Sequence, residues 1–181
     1  MLPVTVHTFI SAPREEVFDF IADLAYRPAW TNHYMREFRL EHPRSHGVGA
    51  AARYRLDAPM YRHWVETQII DAERPRAVVE ATRGGRYNRS GGEVLFELSR
   101  EGQRLTRVDM TIWSEPGTPR EAVKERLGSR RWLRRKSKVA LERLRVIIEE
   151  HPERPLERAT VASWEPRKAP RFGVSPREVS G

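Results

Sequence analysis

The sequence predicts an α+β fold: a curved antiparallel sheet of seven strands, two short helices after the first strand, and one long helix at the C-terminal end. Three observations carry this. Residues 4–31 read as a strand followed by helical turns, residues 36–115 alternate apolar and polar positions between Gly- and Pro-rich turns, and residues 118–150 carry one apolar stripe at helical spacing.

TVHTFI (5–10) is β-branched and aromatic, with Val4, Val6 and Ile10 on one face, and reads as a strand. SAPREEVFDFIADL follows. Ser11 suits a cap, Pro13 the first turn, and Glu15 and Glu16 the positive end of the helix dipole. Val17, Phe20, Ile21 and Leu24 then form a one-sided stripe, and Pro28 stops the helix or begins a second turn ending near Trp30.

Six further strands are expected at 37–42, 50–57, 61–71, 76–83, 92–100 and 105–114. Pro43, Gly47, Gly49, Pro59, Pro75, Gly84-Gly85 and Gly102 punctuate them, and Gly91-Gly92 read as turn glycines beside a hairpin. Loops this short favour antiparallel meanders. In the last helix Thr118, Pro119 and Glu121 meet the capping-box spacing, while Gly128 is a weak point. Val123, Leu127, Leu133, Ala140, Leu141, Leu144, Ile147 and Ile148 share one face. Thirty such residues span about 45 Å, enough to cross a sheet and leave a cavity beneath.

The expected organisation is one domain over 1–150 and a basic tail over 151–181, with five prolines and no periodicity, predicted disordered. No cysteine is present, which excludes disulfides and thiolate metal sites. The N-terminus lacks a signal-peptide pattern and no segment approaches 18 apolar residues, so the expectation is a soluble cytoplasmic protein. The net charge of +8 is local: residues 1–119 hold 16 cations and 16 anions, whereas 120–149 hold 11 against 4. Of these, RRWLRRKSK (130–138) contributes six cations, with like-charge pairs at i, i+4 that suit an anionic surface or a solvated helix face.

The stretch SAPREEVFDFIADLAYRPAW, then GVGAAARYRL, WVETQIIDAERPRAVVEAT and the long terminal helix resemble the START-like or SRPBCC helix-grip superfamily. The branch it looks most like is that of polyketide cyclase/dehydrase and lipid-transport proteins. The likeness rests on Ile10, Ala12, Pro13, Glu15, Val17, Phe18, Asp19, Ile21, Ala22, Asp23, Pro28 and Trp30, and covers residues 3 to about 149. It implies a seven-stranded sheet gripping the last helix around a hydrophobic pocket. Members bind lipids, polyketides or other apolar molecules, as carriers, sensors or cyclases, and one branch resembles ribosome-associating toxins.

For such a pocket the ligand-binding candidates are Trp30, Tyr34, Tyr54, Trp64, Phe96 and Met110, each of which also fits as plain core. Glu66 and Glu80 lie mid-strand among apolar residues. Either one, facing inward, would have a raised pKa and could move protons; facing outward, it is solvated. The phase of 61–71 stays open between the Trp64/Glu66/Gln68/Ile70 set and the His63/Val65/Thr67/Ile69 set. Arg126 and Arg130 fall on the apolar face of the long helix, which places them at a cavity mouth, admitting acidic ligands, or inside it paired with Glu66, Glu80 or a ligand carboxylate. Trp132, Val139 and Val146 repeat every seven residues on the opposite side, and need cover from the tail (Trp164, Phe172) or a second copy in a homodimer.

No metal or other cofactor is expected: six histidines are scattered, and the one near pair, His42 and His46, straddles Pro43. The expected function is binding of a hydrophobic or amphipathic small molecule under the last helix. If turnover occurs, the chemistry is cyclisation or dehydration of a poly-β-ketone, with Tyr54 or Glu66 moving protons and Arg130 polarising a carbonyl. The alternative is docking on RNA or the ribosome through 130–138 and the tail, which predicts steep salt dependence.

Overall fold

A computed structural model describes residues 3–59, 61–84, 90–115, 129–150 and 155–162, omitting the side chain of Tyr61. Strand β1 (Val4–Ile10) leads into helix α1 (Arg14–Ala22), a 3-10 turn (Leu24–Tyr26) and the short helix α2 (Arg27–Thr31). Strands β2 (Met35–Leu40), β3 (Ala51–Ala58), β4 (Tyr61–Glu73), β5 (Ala77–Gly84), β6 (Ser90–Gly102) and β7 (Leu105–Glu115) follow. Helix α3 (Arg130–Glu150) and strand β8 (Thr160–Val161) complete the order. Sheet order is β1-β7-β6-β5-β4-β3-β2-β8, with every pair antiparallel except the parallel β2–β8.

The architecture is the predicted α+β grip with one strand more than expected. Residues 155–162 are not a disordered tail. The Ala159 N–H donates to the Ala25 carbonyl at 2.8 Å and the Ala162 N–H to the Leu40 carbonyl at 2.8 Å. Asn32 donates to Glu157, and Arg158 lies over the Tyr26 ring. The unpaired edge of β2 supplies the reason: its free backbone groups gain partners by accepting two more residues.

Inner positions are Val4, Val6 and Ile10 of β1, Val78 and Glu80 of β5, Val94, Phe96 and Leu98 of β6, and Val108 and Met110 of β7, all buried. Against them α3 sets Ser137, Ala140, Leu141, Leu144 and Ile148, a spacing that stays on one helical face. Three local expectations change. Ser11 does not cap α1; its amide donates to Glu149 at 2.7 Å, tying β1 to α3, and Pro13 occupies the cap position. Phe18, not Phe20, enters the core, because Phe20 stacks on Tyr26 at 5.0 Å. Gly84 and Gly92 lie within strands: a Cβ at Gly92 would sit 2.6 Å from the Trp113 carbonyl oxygen, so close backbone approach, not a turn, requires glycine there. The predicted cap at Thr118 and the break at Gly128 lie outside the described residues. Among the described residues, no helix is long and apolar enough to cross a membrane.

Candidate functional site

The core contains an ion pair. Arg27, the first residue of α2, is 2% exposed and Glu80, mid-β5, likewise 2%. The guanidinium donates to both carboxylate oxygens of Glu80, at 3.3 Å to Oε2, and to the Ile21 carbonyl at 3.3 Å. Thr67 on β4 donates its hydroxyl to Glu80 Oε2 at 3.1 Å. The guanidinium carbon lies 4.7 Å from the Trp30 ring centre and 5.1 Å from that of Phe96. Removing two charges from water is costly, and the hydrogen bonds and ring faces offset that cost.

Around this pair the interior holds polar atoms without partners. Tyr34 and Tyr54 are buried, and burial pushes both phenols above their ordinary range, so each remains a neutral hydroxyl. The Tyr34 hydroxyl faces Ser137 of α3, but neither oxygen makes a hydrogen bond of acceptable geometry among the described residues. The Trp30 indole N–H is also buried and has no partner among the described residues. Native interiors rarely leave such groups unpaired, because each costs about 1–3 kcal/mol. Chemically, neutral donors stand near an internally neutralised ion pair among apolar core side chains. That arrangement can hold a carbonyl or hydroxyl of an otherwise apolar molecule.

Trp30, Tyr34, Tyr54, Phe96 and Met110 are brought together in this core. Phe96 lies opposite Met110 in register, Tyr54 opposite Val65, and Tyr54 stacks on Phe38 at 5.6 Å. Trp64 and Glu66 do not join them. The inward phase of β4 is Val65, Thr67 and Ile69, so Trp64 and Glu66 lie on the outer face. There Glu66 pairs in register with Arg53, whose guanidinium lies 5.9 Å from the Trp64 ring. Burial, with Glu41 nearby, pushes the Glu66 carboxyl up to about 7.

Arg130 is exposed and donates to the Pro3 carbonyl at 3.0 Å. Its angular position does face the sheet, but there it meets the start of edge strand β1 instead of the interior. Arg126 lies outside the described residues. Trp132 is not an outward residue awaiting cover: it stands edge-on to Tyr34, ring centroids 6.1 Å apart. Val139 and Val146 remain exposed. Among the described residues no cluster of His, Asp or Glu could hold a metal ion.

Sequence reasoning offered Glu80, with Glu66 or a ligand carboxylate, as one possible partner of Arg126 and Arg130, and missed Arg27, Thr67 and Ser137. A signal was present: LAYRPAW carries one cation in an apolar run, as AVVEAT carries one anion. A lone charge in each of two apolar segments is a pairing cue.

The profile of the family described as polyketide cyclase / dehydrase and lipid transport matches residues 1–149. No curated protein matches the sequence. Among solved structures, TTHA0849 from Thermus thermophilus superposes with TM-score 0.62 at 18% identity, covering 82% of this chain and 98% of that one. The KanY protein gives TM-score 0.65 at 19% identity, covering 82% and 97%. A START superfamily protein from Mycobacterium smegmatis gives 0.57 at 13%, covering 83% and 99%. At such identities the likeness is one of fold.

Proposed function

The chain belongs to the polyketide cyclase / dehydrase and lipid transport family, of START-like (SRPBCC) helix-grip fold, and on that footing we propose that it binds a hydrophobic or amphipathic small molecule beneath α3. The observation that carries this reading is the set of buried donors Trp30 Nε1, Tyr34 Oη and Ser137 Oγ, which make no well-aligned hydrogen bond among the described residues, near the Arg27–Glu80 pair. A core selected only for stability loses by keeping them; a core that receives a ligand oxygen gains by it.

The same features favour binding over turnover. Glu80 is bonded by Arg27 and Thr67, and both tyrosines are held neutral by burial. Glu66, the proton carrier considered from sequence, lies on the outer face of β4, and Arg130, the carbonyl polariser, donates to the Pro3 carbonyl. A carrier or sensor requires no free acid–base pair.

Tyr34→Phe tests the reading because it removes one oxygen and keeps the ring. Unfolding by urea should show stability unchanged or raised, while the amount of small molecule co-purifying with the protein falls. A loss of about 1 kcal/mol or more in stability with ligand content unchanged would make the hydroxyl a structural group and contradict the proposal.

A further inference from the structure

Near the interior cluster a groove of about 480 Å³ opens between the end of the β3–β4 hairpin and the N-terminal half of α3. Arg62, Lys136, Asp57 and Trp132 are among the residues that line it. Trp132 belongs to both regions. It lines the groove and packs edge-on against Tyr34, the residue whose hydroxyl faces Ser137.

The groove is electropositive despite its acid. Asp57 draws Arg36, Arg55 and Arg62, at 3.9, 3.1 and 3.8 Å, and Arg55 also holds Glu37. With Lys136, four cations meet two carboxylates among the described residues here, an excess of two, and Arg62 and Lys136 are the cations that line the groove. Arg131 and Arg135, which neighbour Trp132 and Lys136 on α3, are exposed. Excess cations draw an anion, and the indole offers an apolar body beside them.

We infer that this groove receives the anionic head, phosphate or carboxylate, of an amphipathic ligand whose apolar body reaches the interior past Trp132. The inference rests on the interior-binding reading above and adds the charge class of the ligand.

Calorimetric titration of the full chain with dodecyl phosphate, dodecanoate, dodecanol and inorganic phosphate tests it. The charged chains should bind at least tenfold more tightly than dodecanol, and inorganic phosphate far more weakly than dodecyl phosphate. Whichever charged chain binds better identifies the head group. In Arg62→Glu/Lys136→Glu the preference for charge should vanish with dodecanol affinity unchanged; the Arg62 side chain is 76% exposed, so the reversal there disturbs no packing. Equal affinity for charged and neutral chains, or a charge preference untouched by the double variant, overturns the groove proposal and leaves interior binding standing. Inorganic phosphate binding as tightly as dodecyl phosphate also overturns it, as a site for free anions. Failure of every dodecyl compound to bind overturns both readings.

Discussion

Arg27 and Glu80, 53 residues apart in sequence, meet at the centre of the fold with 3% of each side chain exposed. The contact joins the helical segment before β2 to the middle of the sheet, and it is the only ion pair among the described residues with both partners so deeply buried.

Breaking that pair should be severe. Glu80→Ala strands a buried guanidinium, and about 3–5 kcal/mol of stability should be lost in urea unfolding. Arg27→Met with Glu80→Leu removes both charges and should cost much less than the sum of the single changes. A double variant as unstable as that sum would mean the two residues act independently.

Glu66 should make stability depend on pH. Its carboxyl titrates near 7 in the folded protein against an ordinary value of 4.5. The folded state therefore holds the proton more tightly, and this contribution is complete below about 4.5 and lost as pH rises through 7. Stability of the wild type should fall between those values, and Glu66→Gln should flatten that part of the profile. An unchanged slope in the variant would show that the outer-face carboxyl does not cause it.

The two glycines that open β6 should respond differently. Alanine at Gly92 meets the Trp113 carbonyl oxygen at 2.6 Å, whereas at Gly91 the nearest atom is a Glu115 carboxylate oxygen at 3.8 Å. Gly92→Ala should destabilise by about 1–3 kcal/mol and Gly91→Ala by clearly less, measured by thermal unfolding.

The segment 155–162 should act as a strap on the helical corner that carries Arg27. Asn32 donates to Glu157 at 2.7 Å and accepts from Arg143 at 2.8 Å, joining strap, α2 and α3. Ending the chain at 154 should lower the unfolding temperature and speed amide exchange in the backbone around Ala25, whose carbonyl accepts from Ala159. An unchanged unfolding temperature would reduce the strap to a surface contact.

Strand periodicity made most of this fold legible, since Val94, Phe96 and Leu98 against Val108 and Met110 admit one inner face. The phase of β4 was not legible. Trp64, Ile70 and Glu66 argue for one face as strongly as Val65 and Ile69 for the other, and the bulge between Ile69 and Asp71 shifts the count. Arg130 shows a second limit: a helical wheel gives direction around the axis but not how far the sheet beneath extends. Arg27 was missed for a third reason, because its partner lies 53 residues away and only the folded sheet brings it near. Residues 155–162 have no periodicity to read; they are ordered by an edge that some other segment had to cover.

Native mass spectrometry of the protein purified from its own host tests the central claim most directly, before and after a high-salt wash. Bound small molecule of mainly apolar character, retained through the wash in the wild type and reduced in Tyr34→Phe, is the predicted result. A protein free of small molecules that instead releases nucleic acid in salt would contradict it, and would move the function to the cations of α3.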